Sequence, residues 1–121
     1  MVVEWKFVDG VRDRLDTDPA DVFSENRMTA VRDWLMGDIQ RNRESLKEFR
    51  ESWREVLQGK YEGTSGNVTD QTLAGDEVVF DSLIERWDEF SMPVAEMFAI
   101  LDKFEEYLDE RATRRQVAST D

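Results

Sequence analysis

The sequence predicts an all-α fold, a long antiparallel helical hairpin, from three observations. Apolar residues recur at alternating steps of three and four along two stretches of nearly equal length, residues 22–60 and 76–113. Glycines separate them, with Gly59, Gly63, Gly66 and Gly75 marking residues 61–75 as a loop. The 121 residues have room for one domain, and 40% hydrophobic with 11% aromatic content is enough to build a core.

Residues 1–21 fit two periods. Val3, Trp5 and Phe7 alternate with Glu4 and Lys6 as in a strand, whereas Val3, Phe7, Val11 and Leu15 share one helical face. With no strand partner expected elsewhere, the segment is assigned as an arm or short helix packed on the hairpin, ended by Pro19.

In residues 22–60, Met28, Val31, Leu35, Ile39, Asn42, Leu46, Phe49, Trp53 and Val56 form a seam. Close opposite charges, such as Glu44 with Lys47 and Glu51 with Arg54, support an exposed helical face. One helix of this length would run ~57 Å, so a bend near Gly37 or Asn42 is allowed for. Asn42 reads either as a polar register device on the seam or as a helix break at a turn.

In residues 76–113 the seam is Phe80, Leu83, Trp87, Phe90, Val94, Met97, Leu101, Phe104 and Leu108. Pro93 removes a backbone donor, and the unbroken phase across it favours a kink over a stop and restart at Ser91. Residues 114–121 are polar and read as a frayed tail.

Composition narrows the chemistry. With no Cys and no His, disulfides, thiol nucleophiles, Ser-His machinery and ordinary zinc or haem sites are excluded, and no cofactor is expected. Twenty-eight acidic against sixteen basic side chains give a net charge of -12, which disfavours nucleic acid and favours a basic protein partner. Arg outnumbers Lys twelve to four, and acidity with little Lys also fits adaptation to a salt-rich cytoplasm. The excess is local: residues 22–60 carry eight basic and seven acidic side chains, residues 76–113 three and twelve. No apolar run is long enough to span a bilayer and no export signal is evident, so a cytoplasmic location without membrane contact is expected.

Val79, Ile84, Phe98 and Ile100, with Trp34 and Met36, widen the apolar surface beyond what a two-helix seam covers. The arm, a partner, or a second copy forming a helical bundle would cover it, and a homodimer is the expected form. Candidate partner-binding residues are therefore Trp34, Trp87 and Phe98, with the acidic row Glu85, Asp88, Glu89, Asp102, Glu105, Glu106 and Asp109. No residue is assigned a catalytic or metal-binding role.

Glu48-Phe49-Arg50-Glu51 and Glu85-Arg86-Trp87-Asp88 resemble the paired E-x-x-E and E-x-x-D motifs of the MazG-like nucleotide pyrophosphohydrolases. The resemblance implies an all-helical enzyme in which these carboxylates hold Mg on facing helices; Lys47 departs from the doubled glutamate of that pattern. Three functions follow: a non-enzymatic helical interaction module, such as an oligomerising adaptor or small regulator; an acidic inhibitor or immunity-type protein occluding a basic nuclease or toxin site; and the Mg-dependent hydrolase.

Overall fold

The computed structural model describes residues 3–8, 14–20 and 22–119, with side chains through residue 115. The fold is mixed rather than all-α, 49% helical and 27% strand, which overturns the helical hairpin and the coiled-coil packing that its three-four seams imply.

The N-terminal segment takes the strand period. Strands β1 (Glu4–Val8) and β2 (Arg14–Asp18) form an antiparallel ribbon with Trp5 opposite Thr17 and Phe7 opposite Leu15. The strand partner is supplied locally, by the second half of the same segment. Trp5 stacks on Phe23 at 5.3 Å, and Phe7 packs on Phe104 and Tyr107, which fixes the ribbon to the last helix.

The stretch 22–60, read as one helical segment with a bend allowed near Gly37 or Asn42, is two helices with a π-helical turn at Gly37 and a break at Asn42. Helix α1 (Glu25–Asp33) is capped by Ser24 and runs directly into a π-helical turn, Trp34–Ile39, closed by Gln40 N–H donating to Leu35 O at 2.7 Å. The chain then turns, and α2 (Arg43–Leu57) begins where the Asn42 side chain accepts from the Glu44 and Ser45 amides. Asn42 is thus a cap at an exposed break, not a register device. Gly59, at φ 85°, ends α2 in a paired C-terminal bond pattern, Gly59 N–H to Val56 O and Lys60 N–H to Glu55 O.

Residues 61–75, expected as loop, contain β3 (Gly63–Ser65) and β4 (Thr69–Ala74). With β5 (Glu77–Ser82) and β6 (Phe90–Pro93) they make a four-stranded antiparallel meander in the order β3-β4-β5-β6. Gly75 supplies φ 66° at the first position of the two-residue β4–β5 turn, the geometry such hairpins favour. Alternation is plain once the strands are seen: Thr69, Gln71, Val78, Phe80, Ser82 and Met92 are buried, while Asp81 and Thr72 are exposed.

The three-four spacing of Phe80, Leu83, Trp87 and Phe90 is therefore a hairpin folded on itself, not a helical seam. Phe80 and Phe90 are register partners and stack at 5.3 Å, whereas Leu83 is 47% exposed. Pro93 ends β6 and neither kinks nor interrupts a helix. Helix α3 (Val94–Ser119) starts next to it and extends through most of the stretch expected to fray. In α3 the seam is real: Met97, Leu101, Phe104 and Leu108 are all buried.

Helices α2 and α3 pack on the four-stranded sheet, and α1 packs against the π turn and β2. Trp34, Leu35, Ile39, Leu46, Trp53, Phe80, Met92, Met97, Ile100 and Phe104 are fully buried in one cluster. Of the residues that widened the apolar surface, Trp34 and Ile100 are buried in this core, Met36, Val79 and Phe98 are partly buried, and Ile84 stays exposed. Among the described residues no helix is long and apolar enough to cross a membrane.

Candidate functional site

At one end of the sheet the β3–β4 loop (residues 66–68) and the β5–β6 loop (residues 83–89) lie together, tied by Leu83 N–H donating to Val68 O at 2.9 Å. Two aspartates at the π turn hold them, Asp33 just before it and Asp38 within it.

Asp38 holds the first loop. Its Oδ1 accepts from the Val68 amide at 2.7 Å, and its Oδ2 from the Thr69 hydroxyl. Gln71 Nε2 donates to the Thr69 hydroxyl oxygen and reaches Asp38 at 3.4 Å, while Gln71 Oε1 accepts from Thr64, whose oxygen accepts from Trp53 Nε1 at 2.9 Å. The network satisfies the buried polar atoms of Thr69 and Gln71, which would otherwise weaken the core. Close approach is built in: a Cβ on Gly37 would sit 2.5 Å from Val68 Cγ2, and one on Gly66 2.2 Å from the Asp38 carboxyl carbon.

Asp33 holds the second loop. Its Oδ2 accepts from Trp87 Nε1 at 3.0 Å and pairs with Arg86 Nε at 3.2 Å. Asn26 clamps the same loop from α1, donating to Asp88 O at 2.9 Å and accepting from the Asp88 amide at 2.7 Å. Ser82 Oγ accepts from the Arg86 amide at 3.1 Å. Among the described residues the non-glycine positions at positive φ are Gln40 and Glu85, and both belong to this end of the molecule. Such backbone costs about 1–3 kcal/mol per residue and persists only where the surroundings enforce it.

This fixed loop holds two aliphatic side chains in water, Leu83 at 47% and Ile84 at 49% exposure. Around them Asp81, Glu85, Asp88 and Glu89 are exposed and make no ion pair among the described residues. Arg86, the basic residue of the loop, is drawn to Asp33. With Asn26, Ser82, Arg86 and Trp87 these carboxylates line an open recess of about 430 Å³.

The expected acidic row divides in two. Glu85, Asp88 and Glu89 gather on this loop. Asp102, Glu105, Glu106 and Asp109 lie on α3 and are compensated: Arg50 pairs with Asp102 at 2.9 Å and Glu105 at 3.5 Å, Lys103 with Glu106 and Glu4, and Arg43 with Asp109. The hydrogen bond that Lys103 donates to Glu4, helped by the charge of Glu106, raises the Lys103 pKa above the usual lysine value. Glu4, Asp102, Lys103 and Glu106 line a cleft of about 690 Å³ between β1 and α3, beside Trp5.

Of the aromatic candidates two are buried and one is partly exposed. Trp34 is fully buried between Phe49 and Phe80, at 5.5 and 5.2 Å, and is not available to a partner. Trp87, 8% exposed, anchors the loop from below, and Phe98 is half-buried against the core. Leu83 and Ile84 were read in the sequence only as a helical seam position and as part of the apolar surplus, and Asp33, Asp38 and Asn26 were not singled out. An adjacent Leu-Ile pair beside an acidic run is the signal for the first two, once residues 83–89 are read as a turn.

The facing helices implied by the pyrophosphohydrolase resemblance do not form. Glu48 and Glu51 lie on α2, but Glu85 and Asp88 lie in the β5–β6 loop, and among the described residues no group of three or more Asp and Glu side chains is placed to hold a metal ion. The chain matches no protein-family model, no curated protein and no solved structure.

Proposed function

We propose that the protein is a non-enzymatic acidic binding domain that covers a cationic site on a protein partner, as an inhibitor or immunity-type protein does. One observation carries this reading: the carboxylates of Glu85, Asp88 and Glu89, without basic partners among the described residues, are held on a fixed loop, while Asp102, Glu105, Glu106 and Asp109 of α3 are paired within the chain. Uncompensated like charge on a fixed frame destabilises the free protein and becomes favourable when a basic surface arrives. A frame already fixed by Asp33, Asn26 and Ser82 loses little conformational freedom on binding.

Poly-L-lysine binding, followed by calorimetry, tests it. The wild type binds at low salt and weakens by roughly tenfold or more as salt rises toward ~0.5 M, because exposed charges are screened. Replacing Glu85, Asp88 and Glu89 together by Gln, Asn and Gln removes most of the binding, whereas Glu105→Gln with Asp109→Asn removes little. Equal losses from the two sets, or no binding by the wild type, would refute the proposal.

A further inference from the structure

We infer that the occupant of the β5–β6 loop is an amphipathic cationic surface, with an apolar patch that meets Leu83 and Ile84 and basic groups that meet the surrounding carboxylates. The inference rests on the acidic-binder reading and adds the apolar half of the contact. Single exposed aliphatics are ordinary on protein surfaces. Here two adjacent ones, about half exposed, stand on a turn whose following residues are fixed by Trp87, Arg86 and Asn26, so they cannot fold back into the core. Asp81 precedes them and Glu85, Asp88 and Glu89 follow, which places apolar surface within an acidic rim. An apolar centre inside a polar rim is the anatomy of a protein–protein interface. A nucleic acid has neither the charge nor the apolar surface for it. A second copy would bring another four unpaired carboxylates against these four, in a chain of net charge -12.

Two peptides of identical Lys and Leu composition test the inference. One places its leucines on a single helical face and the other is scrambled, so charge is constant and only the apolar face differs. The wild type binds the amphipathic peptide about tenfold more tightly than the scrambled one, and the difference persists at high salt. The double variant Leu83→Ser, Ile84→Ser, shown to be folded by circular dichroism, binds both peptides equally, at the wild-type affinity for the scrambled one. Wild-type protein that does not discriminate between the peptides, or a folded double variant that still does, overturns the inference while leaving the acidic-binder reading in place. Failure to bind either peptide at low salt refutes both. Self-association in sedimentation that the double variant abolishes would assign the pair to a second copy and also overturn the inference.

Discussion

Asp33 accepts the indole N–H of Trp87 at 3.0 Å although 54 positions separate them in the chain. The bond joins the end of α1 to a loop whose other fixed points are Asn26 and Ser82, and the same oxygen takes Arg86. The Asp33 side chain is only 12% exposed, so water replaces it poorly. Asp33→Ala is predicted to destabilise the fold by about 2 kcal/mol, since an acceptor for two donors is lost and the Trp87 N–H is left unpaired. Urea unfolding followed by tryptophan fluorescence measures this; an unchanged midpoint would show that the clamp contributes nothing.

Gly37→Ala adds a methyl 2.5 Å from Val68 Cγ2. Alanine is the better helix former, by up to ~1 kcal/mol, but overpacking costs about 1–3 kcal/mol and wins. Val68→Ala removes the obstructing methyl, so the double variant should be more stable than the sum of the two single effects allows. Strict additivity in thermal unfolding would mean the two residues do not meet.

Asp38→Ala leaves the Val68 amide, the Thr69 hydroxyl and the Gln71 amide short of an acceptor at once, and should cost about 2–4 kcal/mol. Thr69→Val, which removes the hydroxyl that donates to Asp38 and accepts from Gln71 but leaves the Val68 amide bonded to Asp38, should cost less. The reverse order in chemical denaturation would place the weight of the network on Thr69.

The ion pairs of α3 should differ with burial. The Arg50 side chain is 19% exposed and bridges Asp102 and Glu105, whereas Arg43 is 59% exposed against Asp109. Arg50→Ala is predicted to cost about 1–2 kcal/mol through lost packing and pairing, and Arg43→Ala no more than about 0.5 kcal/mol. Equal effects on the melting temperature would remove the distinction.

Salt should stabilise the free protein. A net charge of -12 with unpaired carboxylates on one loop means that self-repulsion exceeds the attraction of the exposed pairs. The melting temperature is expected to rise between low and molar NaCl; a fall would show that the pairs of Arg50 and Lys103 dominate.

Core composition was more legible than architecture. Met97, Leu101, Phe104 and Leu108 read correctly because α3 is long and one face of it is apolar. Leu35, Ile39, Leu46, Trp53 and Val56 were also recognised as apolar positions that bury, although a π turn and a corner interrupt them. The sheet was missed because Phe80, Trp87 and Phe90 keep helical spacing across a hairpin by accident, and because Gly63 and Gly66 read as flexibility. Both glycines are required by contact instead: a Cβ on Gly63 would come within 2.0 Å of Gln71 O. Val78-Val79, with Gly75 at a two-residue turn, was the available strand signal. Of the site, the carboxylates of residues 85–89 were visible as charge, but their separation from those of α3 depends on where Arg43, Arg50 and Lys103 fall, which only the fold decides.

Amide hydrogen exchange on the free protein tests the central claim, that this end of the sheet is rigid before any partner arrives. The Val68, Leu83, Arg86 and Asp88 amides each have an acceptor, respectively Asp38 Oδ1, Val68 O, Ser82 Oγ and Asn26 Oδ1. All four are predicted to exchange on the order of 10³-fold more slowly than an unstructured chain, with Arg86 and Asp88 losing that protection in Asp33→Ala. Exchange of Arg86 and Asp88 at unstructured rates in the wild type would contradict the account.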